Sequence, residues 1–278
     1  ASGGPVWAER FDREMTDVFA VQDEIATVIA SRFEGVTSKP PAGHLVTVGT
    51  RDLEAYEHFL QGRFFLNRRT EANLEKGVAC FERALERDAS FAQAWGGLAD
   101  ARLVLPWYSL RPTREQHPKS LDAARCALRL DPKLGSAHAT LGYLHMVFDW
   151  AWQDADREFR EAIALSPGDV MAHKWYADLL MMTARPDEAY REVRKALELD
   201  PISANVLTIM GEWYRVVDRP EESLAQYLKA LTFDPNLPLA LELAARHHWE
   251  FGDVEQYFSL RERLETVSAR ATPPTAEL

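Results

Sequence analysis

The chain has 278 residues, enough for one or two globular domains or for a repeat array without a central core. Apolar residues make up 46% and charged residues 27%, which excludes a disordered chain, and no run approaches the roughly 18 apolar residues of a membrane-spanning helix. A net charge of −11, from 43 acidic against 32 basic residues, argues against a nucleic-acid surface, which needs a basic face to release counterions.

In chain order, Ala1-Ser2-Gly3-Gly4-Pro5 shows no basic region followed by an apolar run, so no signal peptide is expected. Val6 to Arg13 alternates weakly, as an edge strand does. From Thr16 to Phe33 the apolar residues Val18, Phe19, Val21, Ile25, Val28, Ile29 and Phe33 fall at helical spacing, with Thr16 or Asp17 as cap. Residues 34–50, with Pro40-Pro41-Ala42-Gly43, read as a linker.

From residue 53 one phrase recurs: Ala84-Leu-Glu-Arg-Asp-Ala89, Ala127-Leu-Arg-Leu-Asp-Pro132, Ala162-Ile-Ala-Leu-Ser-Pro167, Ala196-Leu-Glu-Leu-Asp-Pro201 and Ala230-Leu-Thr-Phe-Asp-Pro235. Their last residues are 43, 35, 34 and 34 apart, and a 34-residue helix–turn–helix period matches the tetratricopeptide repeat. The prolines mark helix ends. Ala155…Phe159…Ala162 and Ser223…Tyr227…Ala230 put small and aromatic side chains on one helical face. The pairs Gln61-Gly62, Leu141-Gly142 and Met210-Gly211 place glycine inside first helices, where it costs about 1 kcal/mol against alanine; close helix contact is the expected reason. Arg185-Pro186-Asp187-Glu188 and Arg219-Pro220-Glu221-Glu222 start second helices with proline and acids, and Thr113 and Gln116 have capping-box spacing.

The expected fold is all-α: an α-α superhelix of about six helix pairs at 53–89, 92–132, 135–167, 169–201, 203–235 and 237–269, preceded by the N-terminal helix. The sixth pair caps the stack and residues 270–278 form a disordered tail. The second unit carries about nine extra residues, Leu105 to Pro112, expected at one edge with Trp107 and Tyr108 folded onto their own repeat. The third carries one extra residue around Phe148-Asp-Trp-Ala-Trp152.

Trp7-Ala-Glu-Arg-Phe-Asp-Arg13 with Val18-Phe-Ala-Val-Gln-Asp-Glu-Ile-Ala26 resembles the close of the TolB-like α/β domain of bacterial multidomain regulators. Ala55-Tyr-Glu-His-Phe-Leu-Gln-Gly-Arg63 and Phe148 to Phe159 are similar to the tetratricopeptide repeats that follow it in that family. The resemblance implies that residues 1–50 are a remnant of that domain, with an adenylate cyclase, winged-helix or kinase output domain upstream. It also implies that residues 1–13 are disordered or paired with another molecule.

No phosphate loop, nucleophile elbow or zinc-protease helix is present, so no catalytic residue, metal ligand or cofactor is expected. His247 and Glu250 share a helical face without a third ligand; Cys80 and Cys126 read as small core residues, and His138, His145 and His173 as core or groove lining. Counting three before, one after and four after each close-packed small residue selects a concave groove that includes Phe59, Arg63, Asp100, Tyr143, Met146, Lys174, Asp178, Met181, Thr208, Glu212 and Arg215. An apolar floor beside a few charges suits a peptide or partner helix. Asp100, Asp178 and Glu212 stand where a carboxylate clamp needs basic or amide groups, so no such clamp is expected. The reading is thus a non-catalytic protein–protein interaction scaffold, the regulatory arm of a bacterial signalling or transcriptional regulator, with a homodimerisation module as the alternative. The expected compartment is the cytoplasm, or the periplasm if a membrane span lies upstream.

Overall fold

A computed structural model describes residues 49–68, 70–108 and 112–271, with side chains through Val267. The chain divides at Asp52 into two units, and of the first only residues 49–51 are described. The expected strand near Trp7 and helix 16–33 lie outside the described residues, as does nearly all of the linker.

The second unit is a row of helix pairs: α1 (Leu53–Asn67) with α2 (Glu71–Arg87), α3 (Ala92–Tyr108) with α4 (Thr113–Leu130), α5 (Gly135–Leu144) with α6 (Trp152–Leu165), α7 (Val170–Met182) with α8 (Pro186–Leu199), α9 (Ala204–Val216) with α10 (Pro220–Phe233), and α11 (Pro238–Glu250) with α12 (Val254–Ala271). Each first helix packs on its own second helix, on the second helix before it, and on its neighbouring first helices. The first helices therefore form an inner row covered on several sides. In α7 eight of thirteen residues are buried, from Ala172 to Ala177 plus Leu179 and Leu180. The second helices bury one stripe, such as Ala189, Val193 and Ala196 in α8. Helix α12 runs to Ala271, two residues into the expected tail.

The recurring phrase has a local cause at each end. After α2, α4, α8 and α10 the carboxylates of Asp88, Asp131, Asp200 and Asp234 accept the backbone N–H two residues on, at 2.9, 3.0, 3.4 and 3.1 Å. Such a turn closes the helix before the next repeat begins. At the far end of the inner helices, Trp150, Ala184, Asp218 and Gly252 all adopt the left-handed conformation, one per repeat and 34 residues apart. The following N–H groups of Arg185, Arg219 and Asp253 reach back to Leu180, Tyr214 and His248 at 2.8, 2.9 and 2.8 Å, the Schellman closure. In the third repeat the matching bond, Ala151 N–H to His145 O at 3.0 Å, spans one residue more. The extra residue is absorbed as a single π turn over His145–Asp149, and the stack continues in phase.

The inner glycines are seats for aromatic rings. A Cβ on Gly62 would lie 2.7 Å from Phe81, and one on Gly142 3.0 Å from Phe159; Gly97 and Gly211 abut Phe81 and Tyr227 in the same way. Phe81 thus fills notches in two consecutive inner helices.

Three expectations are corrected. The insertion in the second repeat does not form an edge loop up to Tyr108, because α3 runs straight through Pro106. Proline inside a helix costs about 3 kcal/mol, but Leu103, Val104 and Leu105 are buried here, and burial of such side chains is worth about 1.5–3 kcal/mol each. The capping box of Thr113 and Gln116 does not form: Pro112 caps α4 without a side-chain bond, and buried Gln116 accepts a hydrogen bond from Arg102 at 3.3 Å. Cys80 is buried as expected, whereas Cys126 is only partly so, beside Arg129.

Candidate functional site

The inner row lines a concave cavity of 410 Å³ that reaches from the second repeat to the sixth. The lengthened end of α3 carries Trp107 and Tyr108 to its rim, and Leu237, Pro238, Leu239 and Leu243 close the opposite side. Between them lie Tyr143 of α5, then Met171, Lys174, Trp175 and Asp178 of α7, and Asn205, Ile209 and Glu212 of α9. Trp107, at 45% exposure, stands edge-on to Tyr143 at 5.4 Å, and Tyr143 packs against Trp175 at 4.9 Å. Three repeats therefore contribute one continuous aromatic wall. Trp107 does not fold back onto its own repeat; Tyr108 does, on the cluster of Leu74, Val104 and Leu105.

The polar groups are mutually compensated. Lys174, 8% exposed, donates to Asp178 at 3.1 Å. Burial pushes the Asp178 carboxyl up, Lys174 pulls it down, and the charge of Glu212 adds to the rise. Burial also raises Glu212, but hydrogen bonds from Arg215 and Tyr227 and the charges of Arg215 and Arg246 outweigh it and hold this carboxyl below its usual range. Arg215 and Arg246 approach Glu212 at 2.9 and 3.2 Å. The Tyr143 hydroxyl is held in its neutral form by burial and by the charge of Asp178. The indole N–H of Trp175 is buried without a hydrogen-bond partner.

Of the expected groove residues, Tyr143, Lys174, Asp178 and Glu212 meet at this cavity. The others go elsewhere. Met146 and Thr208 are buried and do not line the cavity; Met146 belongs to the core, and Thr208 donates to Ala204 O at 2.8 Å. Phe59 stacks in the core against Phe81 and Phe91, with exposed Arg63 over its ring. Asp100 accepts a hydrogen bond from Thr140, Met181 packs partly buried on the core, and Arg215 is exposed and paired with Glu212. The counting rule selected a helix face about one residue too far round. The residues two and six before the close-packed position line the cavity instead: Trp175, Ile209 and Leu243, and Met171, Asn205 and Leu239. An apolar residue at the first of these positions in three successive repeats is the signal that could have found them.

Among the described residues no group of three His, Cys, Asp or Glu could hold a metal ion, and no helix is long and apolar enough to cross a membrane.

No family model matches the chain. In solved structures it is similar to a thermophilic TPR protein from Thermus thermophilus, at 19% identity and a TM-score of 0.55 over 69% of this chain and 96% of that one. PilF of Pseudomonas aeruginosa gives 19% and 0.54 over 78% and 93%. The fold is a tetratricopeptide-repeat solenoid. Human IFIT1, solved as a dimer with m7Gppp-AAAA, shares the tetratricopeptide-like fold at 19% identity and a TM-score of 0.66, over 88% of this chain and 55% of that one. Among curated proteins, one from Rhizobium meliloti (strain 1021) named "Putative adenylate cyclase 3" is 27% identical over 143 residues. That stretch is 50% of this chain and 24% of the relative, so the chain matches a minor part of a longer protein.

Proposed function

We propose that this array is a non-catalytic interaction scaffold that grips a partner protein through one large apolar anchor side chain in the cavity of its inner row. The observation that carries the reading is the aromatic wall of Trp107, Tyr143 and Trp175 facing Leu243 and Leu239 across 410 Å³, a volume suited to a compact group. Lys174 with Asp178, and Glu212 with Arg215, cancel within the protein, so they favour a neutral anchor with the partner's backbone near the rim. Lys174, the basic residue lining the cavity, is paired with Asp178, and the chain carries a net charge of −11, which speaks against nucleic acid here. The likeness to part of a cyclase-named bacterial protein supports the role of a regulatory arm in signalling.

The test is selection from a peptide display library, followed by titration of the enriched peptides. Wild type is expected to enrich peptides with a single Leu, Phe or Trp anchor. Trp107→Ala and Leu239→Ala should each weaken them by tenfold or more, the size of an interface hot spot above about 1.4 kcal/mol, while Arg63→Ala leaves them unchanged. Equal binding by all variants would sink the reading.

A second reading, self-association through the last repeat, is favoured by the exposed Trp249, Phe251 and Phe258. Light scattering tests it: a dimer converted to monomer by Phe258→Asp supports it, and a monomer at micromolar concentration removes it.

A further inference from the structure

Two histidines occupy one register of consecutive inner helices and are bound alike. His138 of α5 directs Nδ1 at a carboxylate oxygen of Glu158 (2.7 Å) and Nε2 at the carbonyl of Pro132 (3.0 Å). His173 of α7 directs Nδ1 at Glu192 (2.6 Å) and Nε2 at the carbonyl of Pro167 (3.0 Å). In each case the carbonyl closes the preceding repeat and the carboxylate belongs to the second helix of the histidine's own repeat. Both partners of each ring are acceptors. A neutral imidazole has one N–H and one lone pair, so it satisfies one partner and sets a lone pair against the other. An imidazolium satisfies both.

The array supplies its own comparison. One repeat earlier, Trp95 holds this register and its indole N–H donates to the matching carbonyl, Ala89 O, at 3.0 Å. Two later repeats place Leu207 and Leu241 there, both buried, with no such bond to make. The register thus accepts a fixed donor, an apolar side chain, or a titratable donor.

We infer that His138 and His173 are proton-dependent clips, which fasten the second repeat to the third and the third to the fourth when protonated and release them as pH rises. The charged groups facing His138 are Glu158 and Glu161 of α6, with Arg157 at 3.4 Å from the other oxygen of Glu158; the preceding repeat offers the Pro132 carbonyl. Those facing His173 are Glu192 of α8 and Asp169 ahead of α7, with the Pro167 carbonyl from the repeat before. For His138 the Glu158 hydrogen bond outweighs burial and holds the imidazole above its ordinary range; for His173 burial opposes, and Glu192 with the Pro167 carbonyl prevails in the same direction. A raised folded-state value means that the clip is fully closed below the unfolded value of about 6.5 and is lost as pH climbs through the folded value. The device acts on the cavity as well, because α5 also carries Tyr143 and α7 carries Lys174, Trp175 and Asp178.

The experiment is an imidazole ¹⁵N titration of the full chain from about pH 5 to about pH 9, with thermal unfolding at each pH. Both rings should carry two protons at neutral pH and titrate above 6.5. The melting temperature of wild type should fall as pH rises through that range, and that of His138→Leu/His173→Leu should not. Glu158→Gln/Glu192→Gln keeps both rings and should bring their titration down toward about 6.5. Titration of both histidines at or below that value, or a pH slope shared by wild type and the leucine variant, overturns the inference.

Discussion

At the residue scale the inner helices show two kinds of position where one atom decides. The first is the left-handed residue that closes the inner helices of the third to sixth repeats. Gly252 meets it without penalty, but Ala184 holds φ of 57° with a Cβ, a conformation that costs an L-residue about 1 kcal/mol. Ala184→Gly is expected to stabilise the array by about 0.5–1 kcal/mol in urea unfolding, since the Schellman bonds around it stay in place. The second is the ring seat. Glycine to alanine within a helix normally gains about 1 kcal/mol. At Gly211 the new methyl meets the ring of fully buried Tyr227, and overpacking costs about 1–3 kcal/mol. Gly211→Ala should therefore be destabilising despite its better propensity, and a stability equal to or above wild type would show that Tyr227 can move aside.

At the scale of the element, the helix pairing was legible because three signals agree: the 34-residue phrase, the proline stops, and small residues opposite aromatic ones. The left-handed residues were not legible, since Trp150, Ala184 and Asp218 carry no glycine signature and only Gly252 does. Nor was the course of α3 through Pro106, because proline reads as a stop until the burial of Leu103, Val104 and Leu105 is known. The site was half legible. Tyr143, Lys174, Asp178 and Glu212 follow from counting along one helix, whereas Trp107 reaches the cavity only because that helix is longer than its repeat, and Leu243 sits two before the close-packed position, which the counting passed over. The same burial makes α3 testable. Val104→Asp removes an apolar contact from the cluster of Leu74, Leu105 and Tyr108 that offsets Pro106. It should fray the helix beyond Arg102, seen as fast amide exchange of Leu105, Trp107 and Tyr108, and weaken anchor binding together with stability.

At the scale of the molecule the array has no single core; its apolar clusters follow one another along the stack. Such a chain is held by nearest-neighbour junctions, so damage at one junction stays local unless its loss exceeds the stability of the repeats beside it. The junction between the third and fourth repeats contains a dense ionic group. The Asp156 carboxylate accepts from Arg160 at 2.6 Å, from Arg185 at 2.6 Å and from the Tyr176 hydroxyl at 3.0 Å, while Arg185 also forks onto Glu188 at 2.7 Å. Burial raises the Asp156 carboxyl, but these donors outweigh it and hold it below its usual range. A lowered folded-state value gives stability that is present above about pH 4 and lost as pH falls through the folded value. Asp156→Asn keeps the shape and removes the charge, and hydrogen bonds to charged groups are worth about 1.5–3 kcal/mol. The partial exposure of Asp156 and its partners screens them, so about 1–2 kcal/mol is expected. Hydrogen exchange should localise the loss: protection falls in α6, α7 and α8 and is unchanged in α1 and α2, and the acid limb of stability becomes shallower than in wild type. A uniform loss of protection from α1 to α12 would instead mean that the stack unfolds as one unit, and that its junctions are stronger than the repeats they join.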